Sequence, residues 1–323
     1  MIQISEDSSF SSLENYLTSK SWAKENEKIT KITKAGEGNM NVVLRVTTSI
    51  RSLIIKQSRP FVQKYQDIPA PIERIAVEKT FYDAISTGSI KENFPPIIGF
   101  DLESYILVME DLGVCDDMSF IYHKRTIGDY QFEKLIEISY QIHNTATPTN
   151  FPANMKMREL NHQHIFVLPF LIDNGFSLDD IQKGLQELSM SFKENENLKK
   201  QVTLIGEKYL SKGNTLLHGD YYPGSWMTKK DHLYVIDPEF GFVGFPEFDL
   251  GVMAAHLIIA THNPSYFEKI EKTYPKTIDM KLLKKIAGIE IMRRLIGLAQ
   301  LPLSRTLADK EQLLLMSKNM ILS

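Results

Sequence analysis

His218-Gly219-Asp220 and Asp237-Pro238-Glu239 are the two segments of this chain whose residue types are best suited to chemistry. Each aspartate closes a short apolar run, Thr215-Leu216-Leu217-His218 in one case and Leu233-Tyr234-Val235-Ile236-Asp237 in the other, with a polar turn from Thr228 to Asp231 between them. The pattern predicts a pair of adjacent strands with a carboxylate at the end of each, side by side at one edge. Phosphoryl transfer needs such a pair. One carboxylate accepts the proton of an attacking hydroxyl or orients it, and the other holds a magnesium ion that neutralises charge on the phosphates. Either aspartate alone reads as a strand end entering a turn. The two together, with His-Gly ahead of the first, point to function.

Other residues extend the pattern. Ser225 follows Asp220 closely, where kinase-like loops carry a second metal ligand; a serine hydroxyl can bind magnesium directly or through water, and an ordinary loop serine is the equal alternative. Lys56 ends the apolar run Leu53-Ile54-Ile55 and would project a cation toward phosphates, with Glu78 on the following helix as its ion-pair partner. Without the rest of the set it would be a solvent-facing strand end. Gly36-Glu37-Gly38-Asn39-Met40-Asn41 precedes a strand and suits a turn that covers phosphates, although a plain hairpin turn has the same composition.

Arg293 and Arg294 lie in a window, Ile286 to Leu303, whose only other charge is Glu290. At helical spacing both arginines interrupt apolar faces, and a buried guanidinium is costly unless paired. Glu290 is expected to satisfy one of them, which leaves the other for an anion or a hydroxyl-rich ligand. His256 and His262 have no metal-ligand partners at useful spacing and read as structural or surface residues; His162 and His164 cannot share a helix face and are not expected to be ligands.

The elements that must position these residues fall into two parts. From Ile29 to Leu112 the chain reads as strands with one helix: Asn41–Val46 and Ser52–Lys56 as a hairpin, a helix over Ile72–Ile85, and a buried strand over Tyr105–Met109 that leaves through Glu110-Asp111-Leu112-Gly113. After Gly113 the periodicity turns helical, over Tyr130–Thr145, Asp179–Phe192 and Leu198–Ser211, and again from Asp249 onward. This is an α+β, two-lobed, protein-kinase-like outline, with a small β-rich N-terminal lobe (1–111) and a larger helical C-terminal lobe (112–323).

Composition agrees with a globular chain. Of 323 residues, 43% are hydrophobic and 24% charged, which excludes disorder, collagen and coiled coil. Lys+Arg 37 against Asp+Glu 40 gives a net charge of −3, so no electrostatic footprint for nucleic acid or an anionic membrane is present. Cys115 is the single cysteine, which excludes an internal disulfide or a thiolate zinc site and suits a reducing compartment. No segment reads as a signal peptide, and the longest nearly apolar run, Gly251–Ala260, is far short of the ~20 residues a membrane-spanning helix needs. A cytoplasmic location is expected.

These residues together resemble the aminoglycoside-phosphotransferase-like small-molecule kinases, from Gly36 to about Leu303. The resemblance rests on Gly36-Glu37-Gly38-Asn39-Met40-Asn41, Ile54-Ile55-Lys56-Gln57, Val108-Met109-Glu110-Asp111-Leu112, His218-Gly219-Asp220 with Gly224-Ser225, Asp237-Pro238-Glu239-Phe240, Phe248-Asp249-Leu250-Gly251 and Met292-Arg293-Arg294-Leu295-Ile296-Gly297-Leu298-Ala299. Serine in place of the usual asparagine, Asp-Pro-Glu-Phe and the twin arginine look like the methylthioribose kinase branch. The resemblance implies ATP and Mg2+ as cofactors. It implies that Asn41 and Lys56 contact phosphates, that Glu110, Asp111 and Leu112 form the hinge for adenine, and that Asp220 is the catalytic base. Asp237 and Glu239 would manage metal and nucleotide, Arg293 or Arg294 would bind the acceptor, and Asp249 would brace the catalytic loop.

The implied acceptor is the anomeric hydroxyl of 5-methylthioribose; the alternatives are another small alcohol (an aminoglycoside, choline or another sugar) or a nucleotide-binding pseudokinase. The expected partner is a small hydroxyl-bearing molecule rather than nucleic acid or membrane, and a homodimer is allowed. Three departures stand out: Tyr65-Gln66-Asp67-Ile68-Pro69 where the family usually has a tryptophan, Tyr221-Tyr222-Pro223 where it has Leu-His-Thr, and a shorter helical part.

Overall fold

Hydrophobic alternation on the strands decides which way the N-terminal sheet faces. The structure, a computed structural model, describes residues 2–36 and 40–323, so Glu37, Gly38 and Asn39 of the glycine turn lie outside the described residues. Helix α1 (Phe10–Ser19) is followed by β1 (Ile29–Lys34), β2 (Asn41–Thr48) and β3 (Ser52–Ser58), a small hairpin of β4 (Phe61–Val62) and β5 (Tyr65–Pro69), helix α2 (Arg74–Ile85), and strands β6 (Ile97–Asp101) and β7 (Ile106–Glu110). The antiparallel sheet has the order β1-β2-β3-β7-β6. Leu53 and Ile55 of β3 join Leu44, Val46, Ile106 and Val108 in a core closed by Leu13 and Leu17 of α1. Because side chains alternate along a strand, Ile54 and Lys56 face the opposite way, toward the rest of the molecule. The β2–β3 hairpin read from the sequence is present, with Lys56 opposite Val43.

The C-terminal part holds β8 (Asp116–Asp117), α3 (Phe120–Lys124), α4 (Asp129–Asn144), α5 (Met155–His162), α6 (Leu185–Lys193) and α7 (Glu196–Leu210). There follow β9 (Thr215–Leu217), β10 (Trp226–Lys229), β11 (His232–Val235), β12 (Phe242–Gly244), α8 (Glu247–Thr261), α9 (Tyr266–Thr273), α10 (Met280–Ile296) and α11 (Leu307–Leu322). Helix α8 is buried on nearly every face, as its almost unbroken apolar sequence requires, and packs against α10. Among the described residues, no helix is long and apolar enough to cross a membrane.

Two expectations fail here. The runs ending at His218 and Asp237 do not pair with each other: β9 pairs with β12, and β11 pairs with β10. Three-residue strands carry too little pattern to choose a partner, and the tight β10–β11 hairpin takes β11 first. The helix expected over Asp179–Phe192 begins only at Leu185, because Gly184 adopts the left-handed region (φ 86°) and interrupts the apolar period.

Candidate active site

Gly219 explains why the loop after β9 reads His-Gly-Asp. Its φ of +83° suits glycine, and a Cβ there would collide with the Phe240 carbonyl. The flanking His218 is buried, and burial lowers its pKa, so the ring is neutral. Its Nε2 donates to the Ile236 carbonyl (3.0 Å), which leaves Nδ1 to accept the Asp220 N–H (3.3 Å). The histidine therefore ties the Asp220 loop to the residue before Asp237, a connection the expected strand ladder would otherwise have made.

Asp249 holds the same loop from below, accepting the N–H groups of His218 (2.7 Å) and Gly219 (2.9 Å). Burial alone would raise its pKa; hydrogen bonding with His143 and the loop amides holds it below the ordinary value. Ser225 closes the loop by donating its hydroxyl to the Asp220 carbonyl at 3.0 Å.

Lys56 is buried and reaches two carboxylates, Glu78 at 2.7 Å and Asp237 at 2.8 Å. Burial works against the ammonium, but Asp237, Glu78 and Glu239 outweigh it and raise the pKa, so Lys56 stays charged. Asp237 follows β11 in the left-handed region (φ 63°), strained for a residue with a side chain, and that side chain is 49% exposed. It offers a hard oxygen to a cation. Among the described residues no group of three or more His, Cys, Asp or Glu is arranged around one point. A lone exposed carboxylate such as Asp237 could serve a magnesium ion, which takes one or two carboxylates and completes its shell with water and phosphate oxygens.

Asn41 and Glu239 depart from the expectation that both face nucleotide. The Asn41 amide is buried and engaged at both ends: Nδ2 donates to Glu239 Oε2 (2.8 Å), and Oδ1 accepts from Ser58 (3.0 Å) and Arg74 Nε (3.0 Å). Arg74, fully buried at the start of α2, also pairs with Glu239 at 3.1 Å and donates to the carbonyls of Met40, Arg59 and Pro71. A buried guanidinium needs this many acceptors, and it draws Asn41 and Glu239 into a brace. Nothing in the sequence marks Arg74, which looks like any first-turn helix residue. At the end of β7, Arg45 grips Asp111 through two bonds (2.8 and 3.1 Å), the Leu112 carbonyl accepts from Lys229 (2.7 Å), and the Glu110 side chain is exposed.

The twin arginine corrects another expectation. Glu290 serves both: Arg293 Nη1 bonds both its oxygens (3.0 and 2.9 Å), and Arg294 Nε bonds Oε1 at 2.6 Å. One carboxylate cannot balance two cations. The surplus lies toward Asp220, whose Oδ1 is 3.9 Å from Arg294 Nη2, and the Arg294 guanidinium lies over the Tyr222 ring at 5.0 Å from its centroid. Glu290 is held well below the ordinary carboxylate range: burial opposes this, but the two arginines and His256 prevail. Asp220 goes the other way. Burial raises it to about 6 against the pull of Arg294 and Arg293. A carboxylate poised near neutrality beside a guanidinium is equipped to accept a proton from a bound hydroxyl.

The structure thus gathers Lys56, Glu78, Asp237 and Glu239 on one side of the His218–Ser225 loop, and Arg293 and Arg294 on the other. Sequence reasoning missed Arg74, Tyr122, Tyr222 and the role of His256. Only Tyr222 left a signal, as part of a departure next to Asp220.

A five-stranded sheet region with a buried lysine–glutamate pair, joined to a helical region carrying the aspartate loops, is the protein-kinase-like fold of small-molecule phosphotransferases. Among solved structures it is similar to a choline kinase from Streptococcus pneumoniae (TM-score 0.54, 14% identity, 96% of this chain and 98% of that one). It is equally similar to a spectinomycin phosphotransferase in complex with ADP and spectinomycin (TM-score 0.54, 13% identity, 98% of each chain). At these identities the likeness concerns the fold. Residues 130–279 match the model of the phosphotransferase enzyme family. In sequence it is similar to a methylthioribose kinase from Exiguobacterium sibiricum, 27% identical over 295 residues that cover 85% of this chain and 74% of the relative.

Proposed function

We propose that this chain is an ATP-dependent kinase of a small polar metabolite and that its acceptor is the anomeric hydroxyl of 5-methylthioribose. ATP lies between residues 1–111 and 112–323, with adenine at the Glu110–Leu112 hinge and its phosphates facing Lys56. Asp237, with Ser225 of the loop after Asp220, would hold magnesium, which would supply charge neutralisation on the phosphates. Asp220 orients the acceptor hydroxyl and takes its proton. Asn41 and Glu239 act behind the nucleotide by fixing the start of β2 and the Asp237 loop to Arg74.

The observation that carries the acceptor assignment is the 3.9 Å approach of Arg294 to Asp220. Two guanidinium groups are met there by two carboxylates, Glu290 and Asp220, so the wall carries no net negative charge to hold a cationic acceptor, while Arg294 offers a planar donor fork to the hydroxyls of a neutral sugar. The methylthioribose kinase relatives support the same choice. Phosphorus NMR of the product formed from ATP, Mg2+ and 5-methylthioribose tests it. A phosphate on the anomeric carbon is expected; a product at another hydroxyl, or none, contradicts it.

A further inference from the structure

Helix α8 is apolar on almost every side, yet its centre carries His256, with no exposed surface. Its Nδ1 lies 2.6 Å from the Tyr122 hydroxyl, and its Nε2 lies 3.2 Å from Glu290 Oε1. The bonding admits one arrangement of protons. Glu290, held ionised by two arginines, can only accept, so the single N–H of a neutral imidazole must sit on Nε2. Nδ1 is then an acceptor, and Tyr122 must be its donor.

The same Oε1 that receives His256 receives Arg294 Nε at 2.6 Å. A guanidinium is rigid and planar. Fixing its Nε edge on Glu290 determines where its far nitrogens point, and here Nη2 points at Asp220. Tyr222 completes the enclosure, its ring lying between the Arg294 guanidinium (5.0 Å) and the His256 ring (5.2 Å between centroids). A buried polar chain is costly to keep in an apolar helix, and its geometry gives the site a single orientation of Glu290.

We propose that Tyr122, His256 and Glu290 form a positioning relay that holds the Arg294 guanidinium at the acceptor side of Asp220 and thereby sets acceptor affinity. The part about acceptor affinity rests on the kinase reading above; the part about holding Arg294 does not. Neither Tyr122 nor His256 touches a reacting group, so both act through Arg294.

Three variants test the relay. His256→Leu removes both bonds, Tyr122→Phe removes the donor to Nδ1, and His256→Gln can donate from its amide nitrogen to Glu290 and accept from Tyr122 with its amide oxygen. Steady-state kinetics with 5-methylthioribose as the acceptor should show KM for the acceptor raised about fivefold to tenfold in His256→Leu and about threefold in Tyr122→Phe. KM for ATP should stay within about twofold of wild type, and His256→Gln should recover most of the loss. Lower melting temperatures with unchanged acceptor KM would overturn the relay and leave only a core brace.

A second readout needs no acceptor. In nitrogen-15-labelled protein, His256 should show the Nε2-protonated tautomer, and the Arg294 Nε–H should exchange with water about tenfold faster in His256→Leu. The opposite tautomer or unchanged exchange would overturn the relay even if the kinase assay succeeds. If wild type phosphorylates no acceptor, the kinase reading fails, and the exchange measurement still decides whether the relay holds Arg294.

Discussion

Lys56 of β3 places its ammonium 2.8 Å from the carboxylate of Asp237, 181 residues further along the chain. The bond joins the sheet that carries Lys56 to the loop that presents Asp237, and Glu78 holds the lysine from behind at 2.7 Å. The pair is therefore a structural joint as well as a candidate phosphate and metal site.

That dual role separates two effects of mutation. Lys56→Met leaves Glu78 buried without its cation and should cost about 3–5 kcal/mol of stability. Lys56→Met/Glu78→Met should recover much of that loss, since no buried charge is then left unpaired. Neither variant should regain affinity for Mg-ATP. Chemical denaturation and calorimetric titration with a non-hydrolysable ATP analogue, run on both variants, check the two halves independently. Undiminished nucleotide affinity in both would remove Lys56 from the phosphate site.

Asp220→Asn should lower kcat by more than about tenfold, at least ~1.4 kcal/mol, while ATP affinity hardly changes. The same variant should be more stable than wild type at pH 8. Burial raises the Asp220 carboxyl to about 6, so its charged form is disfavoured in the folded protein. Below its unfolded pKa of about 4 the group is neutral in both states and costs nothing; stability is lost as pH rises to about 6 and stays lost above it. The stability gap between variant and wild type should reach roughly 1–2 kcal/mol at pH 8 and close near pH 4. Melting curves at the two pH values check it.

The pH dependence of turnover carries the same sign. A base must be ionised, so kcat/KM should rise with pH through about 6 and then level. Arg294 pulls the Asp220 pKa down, so Arg294→Gln should move that limb to higher pH. A limb left in place by Arg294→Gln would show that the two groups do not interact in the working enzyme.

Geometry distinguishes the two arginines. Arg294 faces Asp220 and should be the one that binds acceptor hydroxyls, so Arg294→Lys should raise acceptor KM by the equivalent of about 1.5–3 kcal/mol and leave KM for ATP alone. Arg293 bonds both oxygens of Glu290, so Arg293→Lys should act mainly on melting temperature. Acceptor kinetics and thermal melts on both single variants reveal whether these roles are reversed.

What the sequence disclosed follows from how local each signal is. The β2–β3 hairpin, the β7 strand and helix α2 were legible because β-branched runs and helical spacing are written into a few neighbouring residues. Lys56 and Glu78 could be paired on paper because one ends a strand and the other sits on the next helix. The partners of β9 and β11 could not, since strands of three and four residues leave the choice to tertiary packing. A phosphate contact for Asn41 is implied by the family resemblance alone, and nothing in the sequence reveals that Arg74 is buried beside it. His256 reads from the sequence as a structural or surface residue for a similar reason: its partner Tyr122 lies 134 residues away.

The central claim is that the Arg294–Asp220 wall selects a neutral sugar as acceptor for the γ-phosphoryl group of ATP. Magnesium-dependent ADP formation measured as kcat/KM for 5-methylthioribose, choline and an aminoglycoside tests it most directly. The account predicts that 5-methylthioribose is preferred by about a hundredfold or more, a difference of ~2.7 kcal/mol, over either cation. Equal or better turnover of choline or the aminoglycoside would contradict it.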